Sequence, residues 1–265
     1  MNVMKIYKDW ILGLSIVLFC FTGCKKGEAG SPEQVIPPVV EAGTKVMVPV
    51  QIGTGKSKMV ISYTNGLAFS KIEFGDGRSI EMTYTKIGKP SGLQSFKDDK
   101  LVSATDYVLD EKGRVTEGIM AVMKGDRYVL TGRYELRYNS ADQVVGTDYI
   151  DLNDQQLDRQ EKRYDTAGNL ISEKGSMFNF TYNYDLKNGL FKYVNYAWIL
   201  AIEKENIFFL SWINNVKSFT NVLNPQDDQL FSYVYNAYGY PEVIHTTENG
   251  SKSTAKVIYK EIRTD

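Results

Sequence analysis

The sequence predicts an all-β, mainly antiparallel fold: a β-meander of hairpin repeats, curled into a barrel-like or open twisted sheet. Two observations carry this reading. From Lys45 onward, apolar and polar residues alternate with period two, and a turn motif running from Asp or Asn to Gly recurs between the alternating stretches. Alternation of this kind marks strands with one buried and one wet face. Parallel strands, covered on both faces, read instead as continuous apolar runs.

In chain order, the first segment stands outside the fold. Lys5 and Lys8 precede an apolar run from Trp10 to Phe21, which ends at small residues. That layout is a secretory signal over residues 1–23, and the run is shorter than the ~20 residues a transmembrane helix needs. The residues at its end, Thr22-Gly23-Cys24, resemble a bacterial lipobox, with Phe21 where leucine is usual. The resemblance implies that Cys24 is lipidated on its sulfur, becomes the first residue after cleavage and is acylated on its new amine. Several acyl chains hold a protein on a bilayer stably, whereas one chain is marginal. The implied location is the bacterial outer membrane, with the periplasmic and the cell-surface side both open. Residues 24–44 are rich in Gly, Ser, Pro and charge and read as the lipidated cysteine plus a tether. Residues 45–265 then form the β-rich repeat domain. With Cys20 discarded and Cys24 lipidated, no disulfide is available, so the core alone must hold this domain.

Within the domain, Ile80, Met82 and Tyr84 lie on one face of a strand. Tyr128, Leu130, Gly132, Tyr134, Leu136 and Tyr138 alternate with Arg127, Thr131, Arg133, Glu135 and Arg137 in a second strand. Phe178, Phe180, Tyr182 and Tyr184 repeat the pattern, as do Phe231, Tyr233 and Tyr235. Hairpin turns fall at Phe74-Gly75-Asp76-Gly77, Lys124-Gly125-Asp126 and Glu248-Asn249-Gly250. The recurring turn is seen in Leu109-Asp110-Gly113-Val115 and Tyr164-Asp165-Gly168-Leu170. Looser copies start at Tyr138-Asn139, Tyr184-Asp185 and Tyr235-Asn236. Asp or Asn caps such a turn through its own side chain, and Gly, Asn or Asp tolerates the positive φ that reverses the strand. One region breaks the pattern. Tyr196 to Leu223 alternates weakly, and a helix is expected over 207–222, ended by Asn224-Pro225.

Tyr164-Asp165-Thr166-Ala167-Gly168-Asn169-Leu170 resembles a tyrosine-aspartate (YD, or Rhs-like) repeat, and Tyr235-Asn236-Ala237-Tyr238-Gly239 resembles a degenerate one. Together with the lipobox, the chain is similar to Bacteroidetes-type lipoproteins with YD-like hairpin repeats. The resemblance covers roughly residues 100 to 262. It implies β-sheet shells or extended sheets without catalytic residues of their own, so it transfers no site.

Composition narrows function further. With 31 basic and 32 acidic residues interleaved, the chain offers no electrostatic footprint for nucleic acid. Gly53-Thr54-Gly55-Lys56-Ser57 ends like a phosphate loop, but Val50 stands where that motif needs glycine and a strand, not a helix, follows. His245 is the sole histidine and reads as a sheet residue, which excludes histidine-rich zinc sites. Asp148, Asp151, Asp154 and Asp158 lack the central glycine and final glutamate of a calcium loop and read as a solvated turn. Neither a cofactor nor a metal is expected. Trp198 and Trp212 are the residues expected to offer a stacking platform for a ligand. The reading is a non-catalytic envelope lipoprotein that binds or scaffolds glycan, peptide or another envelope protein. The competing reading is an envelope hydrolase of glycosidase type, whose paired carboxylates are defined by separation in space rather than in sequence.

Overall fold

The computed structural model describes residues 44–64, 67–203 and 206–263. The expected signal segment, Cys24 and the tether up to residue 43 lie outside the described residues. The strands are β1 (Lys45–Ile52), β2 (Met59–Tyr63), β3 (Phe69–Phe74), β4 (Arg78–Tyr84), β5 (Pro90–Lys97), β6 (Lys100–Leu109), β7 (Val115–Lys124) and β8 (Arg127–Tyr138). They continue as β9 (Val144–Ile150), β10 (Gln156–Tyr164), β11 (Leu170–Lys174), β12 (Asn179–Tyr184), β13 (Val216–Asn221), β14 (Gln229–Tyr235), β15 (Pro241–Glu248) and β16 (Ser251–Arg263). Each strand pairs antiparallel with its sequence neighbours, and β1 also pairs with β16, closing a barrel of sixteen strands. Closure leaves no unpaired edge in the wall.

The expected period-two faces are the two faces of this wall. Tyr134 and Leu136 are buried inside while Arg133, Glu135 and Arg137 point out, and Phe180 and Tyr182 are buried while Thr181 and Asn183 point out. Seven of the eight odd–even strand pairs then repeat one device at their base. The hydroxyl of a tyrosine near the end of the even-numbered strand donates to a main-chain carbonyl of the strand before it. The pairs are Tyr63–Pro49, Tyr84–Phe69, Tyr138–Val115, Tyr164–Val144, Tyr184–Leu170, Tyr233–Val216 and Tyr259–Pro241, all at 2.5 to 2.9 Å. The seven rings pack against the core. In the β5–β6 pair, Leu109 occupies the corresponding place, and Tyr107 points to the interior instead.

The end of the barrel beside these tyrosines carries the recurring turns. Asp110 Oδ1 accepts from the amides of Lys112 and Arg114, Asn139 Oδ1 from Ala141 and Gln143, and Asn236 Oδ1 from Tyr238 and Tyr240. Gly113, Asp142, Gly168 and Gly239 supply the positive φ. Thr64 and Thr85 cap two further turns of the same shape, which the Asp/Asn template had passed over.

One turn is opened. Asp185 begins it as expected, but its closing partner is Asn215 rather than a residue a few places on. The Asp185 amide donates to Asn215 O, and the Asn215 amide donates to Asp185 Oδ1. The segment between them is therefore inserted into a turn, and from Leu190 to Ile202 and from Ile207 to Leu210 it folds back inside the barrel. Here the expected helix over 207–222 is corrected. The helix α1 is Ala197–Ile202, Ile207–Leu210 is a 3₁₀ turn, and the rest of the expected helix is taken by β13. The reason is tertiary: β12 needs a hydrogen-bonding neighbour on its open side, and Phe180 to Tyr184 find it in Asn221 to Val216.

The insert fills the lumen. Phe191 and Phe209 meet Phe69 of β3 edge-on, with ring centroids 5.4 and 5.5 Å away, and lie 5.2 Å from each other. Tyr196 meets Tyr84 of β4, Trp198 meets Tyr138 of β8, and Phe208 meets Phe231 of β14. Leu190, Ala197, Ile199, Leu200 and Leu210 are buried with them. Sixteen strands enclose more space than their own side chains fill, and membrane barrels of that size hold water. This chain fills the space with its own connection.

Two predictions follow from the tyrosine bases. Tyr164→Phe leaves the Val144 carbonyl without its donor and lowers unfolding free energy by about 1 kcal/mol, read from urea midpoints; Tyr128→Phe, on an exposed ring, changes nothing measurable. Burial raises the hydroxyl pKa of Tyr63, Tyr164, Tyr184 and Tyr233 above the ordinary value. Their unfolded counterparts ionise near pH 10, so this stabilisation is whole below pH ~10 and is lost as pH climbs above it. Phenolate absorbance should show part of the tyrosines ionising only as the barrel melts.

Candidate functional site

The two ends of the barrel differ. The turn end is occupied by the insert. The opposite end carries the plain hairpins, and strands β6 to β10 run long toward it. Its tips expose Tyr128 and Leu130 on β7–β8, Leu152 on β9–β10 and Met177 on β11–β12. Beside them, an open cleft of ≈ 460 Å³ is lined by Leu157, Asp158, Arg159, Glu161, Lys174 and Ser176. Asp158 organises its wall, accepting from Gln160 Nε2 and from the Ser176 amide. The cleft thus combines apolar relief with both charge signs, the surface chemistry of a polar or peptide ligand rather than of a purely apolar one.

Behind this cleft, on the inner face of the wall, lies a buried polar cluster. Lys162 Nζ sits 2.8 Å from Glu173 Oε1, with side-chain exposures of only 3% and 6%. It also donates to Thr147 Oγ1 at 3.1 Å, and Tyr182 donates to Glu173 Oε2. A second carboxylate, Glu203 just after α1, accepts from Tyr134 at 2.6 Å and Tyr107 at 3.3 Å. Burial and this carboxylate together raise the Tyr134 hydroxyl pKa well above normal. These two carboxylates are engaged by Lys162 and by tyrosines inside a filled barrel, an arrangement that orients the insert and the β9–β12 wall.

The outer wall carries clusters of charge. Asp148 lies between Arg137 and Arg159, at 3.3 and 2.8 Å, and Arg133 reaches Glu117, Glu135 and Asp154. A side-chain hydrogen bond to Asp148 raises the Arg159 pKa, and one to Asp154 raises that of Arg133. Lys71 bridges Glu73 and Glu81 on β3–β4. Such residues are costly in a lipid-facing wall, about 2–4 kcal/mol for Arg or Lys at a bilayer midplane.

The residues singled out from sequence fall as follows. Trp198 and Trp212 are both half-buried and packed against the core, Trp198 edge-on to Tyr138 within the lumen insert. They do not share an exposed platform. His245 is exposed on β15, with Nδ1 3.0 Å from Thr254 Oγ1. The four aspartates are dispersed: Asp148 into the arginine seam, Asp151 capping its turn, Asp154 to Arg133 and Asp158 to the cleft. Backbone amides at Gln155 and Asn153 hold the Asp151 pKa down. Gly55–Ser57 is a short 3₁₀ turn leading into β2, as expected of a turn. Sequence reasoning missed Lys162 and Glu173. Their signal was the even phase of Gln160, Lys162 and Tyr164, which places a lysine on the inward face.

No family model matches the chain, and no curated protein matches it. Among solved structures it is similar to a porin-like protein from Bacteroides uniformis, with a TM-score of 0.50, 12% identity, and coverage of 86% of this chain and 100% of that one. It is also similar to part of the Photorhabdus luminescens Tc holotoxin pore, with a TM-score of 0.33, 14% identity, and coverage of 78% of this chain but only 12% of that one. The first likeness is one of fold.

The buried pair supplies a stability test. Lys162→Met leaves the Glu173 carboxylate enclosed without its cation and should cost about 3–5 kcal/mol, whereas Lys162→Met with Glu173→Leu should recover most of the loss. Denaturation of the two variants and of Glu173→Leu gives the coupling directly; independent, additive costs would show that the two groups do not act as a pair.

Proposed function

We propose that the chain is a non-catalytic binding or scaffold module of the bacterial cell envelope, lipid-anchored at the outer membrane through Cys24. Its hairpin end engages a glycan, a peptide or another envelope protein. The observation that carries this reading is the filled lumen: with Phe191 and Phe209 packed edge-on against Phe69, the interior is occupied, and recognition falls to the outer surface. The charged wall supports a barrel standing in water beside a membrane rather than within it. The hairpin end offers the relief that a partner needs, in the exposed Leu152, Met177, Tyr128 and Leu130 around the charged cleft. Near-zero net charge speaks against a polyanionic partner such as nucleic acid.

We also read the strand pairs as degenerate YD repeats. In support, tyrosine hydroxyls tie the base of seven pairs, and the following Asp or Asn caps the turn in several of them. The tyrosine and the aspartate thus have separate physical tasks, one on the preceding strand and one on the loop ahead.

The anchoring is tested by fractionation of cells producing Cys24→Ala. The variant should leave the membrane pellet, and a variant that stays there contradicts the lipid anchor. In the anchored protein, Leu152→Asp with Met177→Asp should remove chemical cross-links to envelope partners at unchanged urea midpoint. Retention of every cross-link would move the binding face elsewhere.

A further inference from the structure

The three most exposed large apolar side chains among the described residues are Leu186 at 96%, Ile87 at 82% and Tyr238 at 71%. All three stand on loops at the turn end. Ile87 tips the β4–β5 turn, Tyr238 tips the β14–β15 turn, and Leu186 begins the insert beside it, where Asn188 Nδ2 donates to Tyr238 O. Lysines flank them: Lys86 and Lys89 on the turn of Ile87, Lys187 next to Leu186, and Lys112 on the β6–β7 turn. None of these four forms a salt bridge among the described residues. The acids at this end are largely engaged. Asp110 and Asp142 pair with Arg114, while Asp165 and Asp185 accept from Asn169 and Asn215; Glu111 stands exposed. The hairpin tips carry both signs, with Asp98, Asp99, Asp126 and Asp154 beside Lys97, Lys100, Lys124 and Arg127.

The chain enters the barrel at this same turn end. β1 runs from Lys45 at the turn end to Ile52, which pairs with Met59 at the hairpin end. Lys45 is tied to Glu261, and Tyr238 is among the groups acting on its charge. Thr44, the first described residue, therefore lies at the turn end. At ~3.5 Å per residue fully extended, the segment between Cys24 and Thr44 can place Lys45 no further than about 70 Å from the acyl chains.

We propose that the turn end is a membrane-docking face: Leu186, Ile87 and Tyr238 enter the interface of an anionic bilayer, and Lys86, Lys89, Lys112 and Lys187 lie over its headgroups. This rests on the lipid-anchor reading and gives it an orientation. Aromatic and aliphatic tips with flanking lysines suit that interface. The anchor makes docking an intramolecular event, so weak contacts suffice. The hairpin end is thereby turned outward, toward its partner.

The test uses the full lipidated protein in vesicles of phosphatidylcholine with and without phosphatidylglycerol. A polarity-sensitive fluorophore is placed at Leu186→Cys or at Leu152→Cys, Cys24 being blocked by its lipid. On the anionic vesicles, the probe at 186 should shift to the blue and be quenched by spin-labelled lipid several-fold more than the probe at 152. Lys86→Glu with Lys187→Glu should abolish that difference while the protein stays vesicle-bound. Equal quenching at both ends, with binding retained, overturns the docking face and leaves the anchor standing. Vesicle binding by Cys24→Ala with quenching at 186 intact would instead sink the anchor and keep the face.

Discussion

A barrel of sixteen strands encloses more volume than its wall can fill, and the rest of this structure depends on how that volume is occupied. Protein interiors pack as densely as organic crystals, so a void of that size would not persist dry. Here the connection between β12 and β13 turns inward and supplies Leu190, Phe191, Leu200 and Phe209 to the lumen. The wall answers with Phe69, Tyr84, Tyr138 and Phe231, drawn from strands spread around the barrel. Each large side chain moved from water into such a core contributes about 1.5–3 kcal/mol. The aromatic content of the sequence, 12%, is the material of this filling.

The insertion costs the wall little because it is made inside a turn already fixed at both ends. Asp185 and Asn215 exchange the same hydrogen bonds that Asp110 and Arg114 exchange across an ordinary turn. The strand register on either side is thus independent of what lies between. Tyrosine hydroxyls fix the base of seven strand pairs, and in the one pair without this tie, Tyr107 is released to hold Glu203 of the insert. One departure from the repeat therefore coincides with one attachment of the core to its wall.

Strand content, the antiparallel pairing and the turn chemistry were legible in the sequence because they are local. A period-two face and an Asp-to-Gly turn need no knowledge of distant residues. Closure of the barrel was not legible, since nothing local says that Lys45 to Ile52 will pair with the final strand. The helix was misplaced for a similar reason. Ile207 to Val222 carries apolar residues that suit a helix, but β12 lacked a partner and Val216–Asn221 supplied it. Of the candidate site, Asp158 was visible as a turn acid, whereas its neighbours Lys174 and Ser176 reach the cleft only through pairing of β10 with β11. Trp198 and Trp212 drew notice as aromatics in an irregular stretch, and that irregularity was the trace of the insert itself.

The polarity of the wall sets this barrel apart from one that conducts through a membrane. Charge faces out, in the Asp148 seam and around Arg133, and apolar side chains face in. The account stands or falls with the insert being part of the core. Native-state hydrogen exchange measures this most directly. The amides of Phe191, Val194 and Ile199, bonded within the insert, should open only with global unfolding, at free energies within about 1 kcal/mol of those of β8 and β12. Exchange of these amides through a separate, lower-energy opening, with the wall still protected, would mean that the barrel closes without its filling and would contradict the account.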